Sequence, residues 1–301
     1  MASQIDRRDF LKLGLAATAT AAIGVGMTGG RIPLPMAATA AKPAASGRGG
    51  EETSPHKWGM VIDQSKCVGC DLCLAACHAY NDTPPNMSWS RVETVGATPS
   101  GRPVYRPVPC QHCEDAPCVE ICPVGATYHR YDGLVMMDYD KCIGCRYCQL
   151  SCPYGVRHFN WEKFTGPNPD VPAAGTPEIE RRPRGVVEKC SFCVHRIDRG
   201  LSAGLTPGVD PDATPACVVA CTYGARLFGD LNDPDSPVSV ALRNNPDAYR
   251  LREELDTDPR VYYLPAKPKE GSASCKSALR AWSTTLFCPP RRSRSSAGWL
   301  S

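Results

Sequence analysis

The spacing of the cysteines limits what this chain can fold into more than any other feature, because 16 of its 18 cysteines fall into four groups. Each group begins with two cysteines separated by two residues and ends with two separated by three. The first and third groups share one spacing, the second widens a gap, and the fourth contains a loop of 23 residues. In chain order the groups are Cys67, Cys70, Cys73 and Cys77; Cys110, Cys113, Cys118 and Cys122; Cys142, Cys145, Cys148 and Cys152; and Cys190, Cys193, Cys217 and Cys221.

This spacing is typical of loops that hold [4Fe-4S] clusters. Three closely spaced thiolates can bind three irons of one cube, whereas the cysteine three residues further on points elsewhere and binds a neighbouring cube. The groups must therefore work in pairs. All sixteen cysteines are candidate metal ligands, and they predict four [4Fe-4S] clusters.

Two other uses of the cysteines stay open at this point. Pairs of the Cys-x2-Cys kind also bind zinc, and an exported, cysteine-rich chain can be held together by disulfides. Zinc explains tetrads of cysteine but not three cysteines within seven residues followed by a fourth. Disulfide-rich domains are usually much shorter than this chain of 301 residues.

Sequence repeats indicate a small structural unit around each group. Val61-Ile62-Asp63, Met136-Met137-Asp138 and Val187-Glu188 each precede a group, which predicts a short strand before the cluster loop. Gly follows the last cysteine of three groups by three residues, with Pro directly after the cysteine in two of them, and this pattern predicts a turn. With 29 Pro and 26 Gly in the chain, we expect short helices, short strands and much loop.

Charge and motifs exclude several classes of function. The formal charge of +3 counts each cysteine as neutral, and four clusters held by thiolates would make the total negative. No basic patch interleaved with aromatic residues is present, so we expect no nucleic-acid partner. The sequence also contains no phosphate-binding loop, zinc-protease helix or nucleophile elbow. The chain is therefore not predicted to be an enzyme by itself.

The N-terminus resembles a twin-arginine export signal. Arg7 and Arg8 precede Phe10, and an apolar stretch rich in small residues follows over 14–26. Ala38-Thr39-Ala40 offers a cleavage site, although an uncleaved signal fits the same residues. We assign 1–40 to the signal and 41–54 to a linker, and expect the protein on the periplasmic side of the cytoplasmic membrane.

Other residues carry weaker signals. His78 and His112 lie in or beside cysteine groups, and we expect both at the surface, with hydrogen bonding to cluster sulfur as the alternative. Cys275 and Cys288 lack the spacing of the groups and lie in a basic tail, 267–301, that we expect to be disordered. Several aromatic residues are expected to pack around the clusters: Tyr147, Tyr154, Phe159, Trp161 and Phe192.

From about Lys57 to Leu264, the order of the groups, the widened second group and the looped fourth group resemble the four-cluster iron–sulfur subunits of the dimethyl sulfoxide reductase family. Relatives include subunits of polysulfide and tetrathionate reductases and of formate dehydrogenase. The resemblance implies that the first group pairs with the fourth and the second with the third. The four implied ligand sets are Cys67, Cys70, Cys73 and Cys221; Cys77, Cys190, Cys193 and Cys217; Cys110, Cys113, Cys118 and Cys152; and Cys122, Cys142, Cys145 and Cys148.

The resemblance also implies an α+β fold of two interleaved ferredoxin-like modules. The inner module would span 109–165, and the outer module would combine 55–108 with 180–245. It further implies an electron-transfer subunit that relays electrons between a molybdopterin-containing catalytic subunit and a polytopic membrane subunit that reacts with quinone. A relay in a hydrogenase or a sulfite-reduction-associated complex is the alternative, and the substrate and direction of electron flow stay open.

Overall fold

The protein is described by a computed structural model over residues 54–266. The predicted signal, all of the linker except Ser54, and the tail lie outside the described residues. The strands are β1 (Trp58–Asp63), β2 (Arg91–Ala97), β3 (Pro103–Val108), β4 (Thr127–His129), β5 (Val135–Met137), β6 (His158–Phe159), β7 (Val187–Glu188), β8 (Arg226–Asp230), β9 (Tyr249–Arg250) and β10 (Val261–Leu264). The helices are α1 (Leu72–Asn81), α2 (Pro117–Glu120), α3 (Tyr147–Leu150), α4 (Val194–Ser202), α5 (Ala216–Val219) and α6 (Pro237–Asn244).

A four-stranded sheet in the order β8-β1-β10-β9 joins distant parts of the chain. Strand β1 pairs with β8 in antiparallel fashion and with β10 in parallel fashion, and all six of its residues are buried. Burial on both faces explains why β1 is apolar without alternation. The sheet therefore brings the residues before the first cysteine group beside those after the fourth.

Alternate residues of β1 supply two apolar cores, because successive side chains of a strand point to opposite faces. Met60 and Ile62 belong to the larger core, which also contains many of the cysteines. Val61 belongs to a smaller core with Val238 of α6. Helix α6 begins with Ser236 as its N-cap and Pro at its first position, both common starts of a helix.

Residues 54–266 also form three two-stranded antiparallel sheets: β2 with β3, β4 with β5, and β6 with β7. The first contains an irregularity between Thr94 and Gly96. Its end is tied to the main sheet, because the hydroxyl of Tyr263 in β10 donates a hydrogen bond of 3.0 Å to the carbonyl of Pro107. Every strand and helix is short, as the Pro and Gly content predicts.

The predicted unit of strand, loop, short helix and turn is confirmed. Strands β1, β5 and β7 end just before the first, third and fourth cysteine groups, and a short helix lies in every group. Gly125, Gly155 and Gly224 each follow the last cysteine of a group by three residues, and their φ values lie between 59° and 63°. Glycine adopts this left-handed conformation readily, so the chain can turn sharply there.

The α+β class is confirmed by these mixed, short elements.

Within residues 54–266, no helix is both long and apolar enough to cross a membrane.

The larger core should depend on β1. Ile62 is 0 % exposed, so Ile62→Ala is expected to lower the free energy of unfolding by about 2–5 kcal/mol through lost burial and a residual cavity. Val95→Ala on the 41 % exposed position of β2 is the control and should change it by less than about 0.5 kcal/mol. Anaerobic denaturant titrations of the two variants measure both effects, and equal midpoints would contradict this description of the core.

Candidate metal centres

Strand pairing places the fourth cysteine of one group beside the first three of another. In the main sheet Ile62 is opposite Arg226; Cys67 lies five residues after Ile62, and Cys221 lies five residues before Arg226. The β4–β5 hairpin repeats this arrangement with Met137 opposite Thr127. Cys142 follows Met137 by five residues, and Cys122 precedes Thr127 by five. In both antiparallel strand pairs, the two cysteines lie five residues beyond a pair of opposite residues. The pairing therefore brings thiols from separate groups close together.

At each of these two places, four cysteines line a concave pocket that is partly open to solvent. We call the pocket at the main sheet site 1 and the pocket at the β4–β5 hairpin site 4. The other walls are mainly apolar. Site 1 is Cys67, Cys70, Cys73 and Cys221. Site 4 is Cys122, Cys142, Cys145 and Cys148.

The remaining cysteines form two further sets. The thiols that influence the pKa of one member of each set identify the others. Burial raises the pKa of Cys77 well above its ordinary value, and nearby thiols of the fourth group raise it further. Burial likewise raises the pKa of Cys113 to about 12, with contributions from thiols of its own group and of the third. Site 2 is Cys77, Cys190, Cys193 and Cys217. Site 3 is Cys110, Cys113, Cys118 and Cys152.

All sixteen described cysteines are free thiols, so the structure contains none of the disulfides considered above. Sites 1–4 are the same sets that the family resemblance implies. Their role as ligands stays a prediction. Within residues 54–266, no three or more His, Cys, Asp or Glu side chains are placed to hold a single metal ion. The thiolates of a cube bind different irons and need not converge on one point.

The donor set fits [4Fe-4S] clusters. Sulfur is the ligand of iron–sulfur clusters, and each set supplies four thiols. Because burial raises the pKa of buried thiols such as Cys113, they keep their protons at neutral pH unless a metal displaces them. Binding of metal at these sites would therefore be coupled to proton release.

Comparisons with known proteins decide the family. Residues 102–166 match the family described as a 4Fe-4S dicluster domain, and residues 4–24 match the twin-arginine translocation signal. A selenate reductase subunit of Mesobacillus selenatarsenatis is 40 % identical over 222 residues, covering 69 % of this chain and 72 % of the relative. The menaquinone reductase iron–sulfur cluster-binding subunit of Nitratidesulfovibrio vulgaris is 42 % identical over 230 residues, covering 69 % and 88 %.

A third relative is matched over nearly its whole length. The arsenate respiratory reductase iron–sulfur subunit of a Shewanella species is 39 % identical over 236 residues, which cover 68 % of this chain and 95 % of the relative. The chain belongs to the family of iron–sulfur electron-transfer subunits of respiratory oxidoreductases. The predicted [4Fe-4S] chemistry and twin-arginine signal are confirmed, and the signal directs this iron–sulfur subunit to the periplasmic side.

Three buried cations lie among the thiols of the iron–sulfur subunit, and none of them was predicted from the sequence. Arg157 donates a hydrogen bond of 3.0 Å from Nη2 to Cys118 Sγ. Arg226 donates from Nη2 to Cys73 Sγ over 3.4 Å. Lys189 donates from Nζ to the carbonyl of Cys190 over 2.8 Å. A signal for the arginines exists in the sequence, since each lies five residues after the last cysteine of its group.

Asn81 is another polar contact of the thiols that was not predicted. Its Nδ2 lies 3.7 Å from both Cys77 Sγ and Cys193 Sγ, and it also donates to the carbonyl of Cys77 over 3.0 Å. Because Asn81 is the last residue of α1, the helix itself fixes this amide beside site 2. Hydrogen bonds to sulfur are one of the means by which a protein adjusts a cluster's potential.

The surface position predicted for His112 is wrong. Its ring is fully buried, lies 4.0 Å from the ring of Phe192 between centroids, and its Nδ1 accepts from the backbone N–H of Val135 over 3.2 Å. Burial holds the pKa of His112 well below its ordinary value, and the charges of Lys189 and Arg260 lower it further. His112 is therefore a neutral part of the core.

Packing around the sites is also only partly as expected. Tyr154 and Phe192 are buried and Phe159 is half-buried, but Tyr147 and Trp161 are more than half exposed. Trp161 instead packs edge-on against Phe159, and the guanidinium of Arg146 lies over its ring at 4.5 Å from the centroid. These two aromatic side chains do not enclose the thiols.

Close packing around the third cysteine group should be necessary for metal binding. Gly144 has φ +70°, and a Cβ there would lie 2.3 Å from the carbonyl oxygen of Gly185, so Gly144→Ala must displace the loop. Gly125→Ala is the matched control, because Gly125 has φ +63° with open space around it. Both variants strain the backbone by about 1–2 kcal/mol, but only the first should lower the iron content per chain. Equal iron content would contradict this account of the loop.

Proposed function

We propose that this iron–sulfur subunit holds four [4Fe-4S] clusters at sites 1–4 and relays single electrons between a molybdopterin-containing catalytic subunit and a polytopic membrane subunit that reacts with quinone. One observation carries the proposal: each set of thiols combines three from one spacing group with one from a different group. This is the arrangement expected of paired cubes.

Neighbouring sites support a linear order. Arg226 contacts thiols of sites 1 and 2. Burial raises the pKa of Cys190 of site 2, and the nearby thiols of Cys217 and of Cys110, the latter in site 3, raise it further. Arg157 contacts Cys118 of site 3, and its charge acts on Cys148 of site 4. Adjacent sites in the order 1, 2, 3, 4 would give an electron a continuous route through the subunit.

Membership of the sites supports two interleaved modules. All cysteines of sites 3 and 4 lie within 109–165, which would be the inner module. All cysteines of sites 1 and 2 lie in 55–108 or 180–245, which would form the outer module. Residues 164–184 would form a crossing segment between the two modules, and they contain no helix or strand. Asn168 of this segment donates a hydrogen bond of 2.9 Å to the carbonyl of His78. This contact holds the crossing segment against the outer module.

When bound, the clusters supply reversible one-electron chemistry. The protein holds the thiolates, excludes water from the buried sites and sets the charge around them. Since relatives serve selenate, arsenate and menaquinone reductases, the partner subunits rather than this subunit would select the substrate. The menaquinone reductase relative favours a quinone-reactive partner on the membrane. No catalytic role is assigned to any residue of this chain.

The first test counts the cofactors. The anaerobically purified full-length protein should contain about sixteen iron atoms and as much acid-labile sulfide per chain, with spin-coupled [4Fe-4S] signals in the electron paramagnetic resonance (EPR) spectrum after reduction. Zinc in place of iron, with no reducible signal, would leave a structural metal protein and overturn the proposal.

Serine variants then test the pairing of the groups. Cys77→Ser should perturb the same EPR signal as Cys190→Ser, because both belong to site 2. Cys73→Ser should perturb a different signal, although Cys73 is only four residues from Cys77. Cys275→Ser and Cys288→Ser are matched controls outside the groups and should leave iron content and spectra unchanged. If Cys77→Ser matched Cys73→Ser instead, the proposed pairing would be wrong.

A further inference from the structure

Arg157 and Arg226 occupy equivalent places in the two proposed modules. Each lies five residues after the last cysteine of its group, Cys152 or Cys221. Both are buried, with exposed fractions of 2 % and 3 %. An arginine side chain stays charged under all ordinary conditions, so each places a permanent positive charge in the interior.

The guanidinium of Arg157 lies between sites 3 and 4. Its Nη2 donates to Cys118 Sγ of site 3 over 3.0 Å, and its Nη1 lies 3.2 Å from Met137 Sδ and 3.3 Å from Thr127 Oγ1. Met137 and Thr127 also line the pocket formed by the four cysteines of site 4. One cation thus lies against both sites.

The guanidinium of Arg226 lies between sites 1 and 2 in the same way. Its Nη2 donates to Cys73 Sγ of site 1 over 3.4 Å, and its Nη1 lies 3.7 Å from Cys217 Sγ of site 2 and from Met60 Sδ. Two separate segments of the chain have therefore placed one arginine at the boundary of each pair of sites.

Neither arginine is neutralised by a carboxylate in the part of the chain that the structure describes. Among residues 54–266, the hydrogen-bond acceptors of Arg226 are three sulfur atoms, and those of Arg157 are two sulfur atoms and a hydroxyl. A buried guanidinium without an opposite charge is strongly unfavourable. Neutral thiols do not supply that charge, whereas thiolates of a bound cluster do.

We propose that Arg157 and Arg226 are shared counter-ions, each of which sets the reduction potentials of the two clusters beside it. Arg157 would act on the clusters at sites 3 and 4, and Arg226 on those at sites 1 and 2. This inference rests on the ligand sets of the proposed function. A positive charge between two anionic clusters favours the addition of an electron to either one, and it screens the repulsion between two added electrons.

Neutral variants test the charge. In EPR-monitored redox titrations of the full-length, anaerobically purified protein, Arg157→Gln should lower the potentials of two of the four clusters. The expected decrease is at least tenfold in each reduction equilibrium constant, which is about 59 mV for a one-electron couple. Arg226→Gln should lower the potentials of the other two. Each variant is thus the control for the other.

Two further controls separate charge from structure. Arg157→Lys and Arg226→Lys keep the charge and should keep all four potentials within tenfold of the unaltered protein. Arg260→Gln removes another buried arginine, 8 % exposed, whose Nη1 donates instead to the carbonyl of Asp132 over 2.9 Å. That variant should lower stability without a shift in potential.

The outcomes are distinguishable. Fewer than four clusters in the unaltered protein would overturn the proposed function and this inference with it. Four clusters whose potentials do not move in the glutamine variants, or all move equally, would overturn only this inference. If a glutamine variant loses iron, a requirement for charge predicts that the lysine variant retains it. Equal loss of iron in both variants would show a role in shape alone and contradict the proposal.

Discussion

Crowding of buried thiols is the constraint on which the rest of the described structure depends. Nine of the sixteen described cysteines are buried, and burial raises the pKa of thiols such as Cys113 and Cys217 to about 12. Without metal, such thiols keep their protons, whereas bound iron would take them as thiolates. Cluster binding at the proposed sites would then be coupled to folding and proton release, because each set of thiols belongs to parts of the chain that meet only in the folded protein. Export by the twin-arginine route, which is known for carrying folded proteins, suits such a chain.

The helices and strands are short, and their main effect is to bring the cysteine loops together. The β1–β8 pair and the β4–β5 hairpin perform that task with the same five-residue offset, one from a long-range pairing and one from a local hairpin. The two proposed modules therefore solve the same problem with different connections. Within each pair of sites, a buried arginine donates a hydrogen bond to a thiol: Arg157 to Cys118 and Arg226 to Cys73.

The cysteine groups, the short strands before them and the glycine turns after them could be predicted from the sequence, because all three repeat along the chain. The pairing of the groups came from the family resemblance, since spacing alone does not state which groups meet in space. Residues whose contacts depend on that meeting were missed, such as Arg157 and Arg226, whose guanidinium groups lie among the thiols. The burial of His112 was also missed, because a single polar residue carries no periodic signal; in the fold its ring packs against Phe192 and accepts a hydrogen bond from β5.

The most direct test of the central claim is an anomalous-difference electron-density map, recorded at the iron absorption edge, from crystals of the anaerobically purified protein. Four cube-shaped peaks are expected, each within bonding distance of three cysteines from one group and one from the paired group: the first with the fourth, and the second with the third. Single-atom peaks surrounded by four sulfur atoms, or cubes bound only by cysteines of one group, would contradict it.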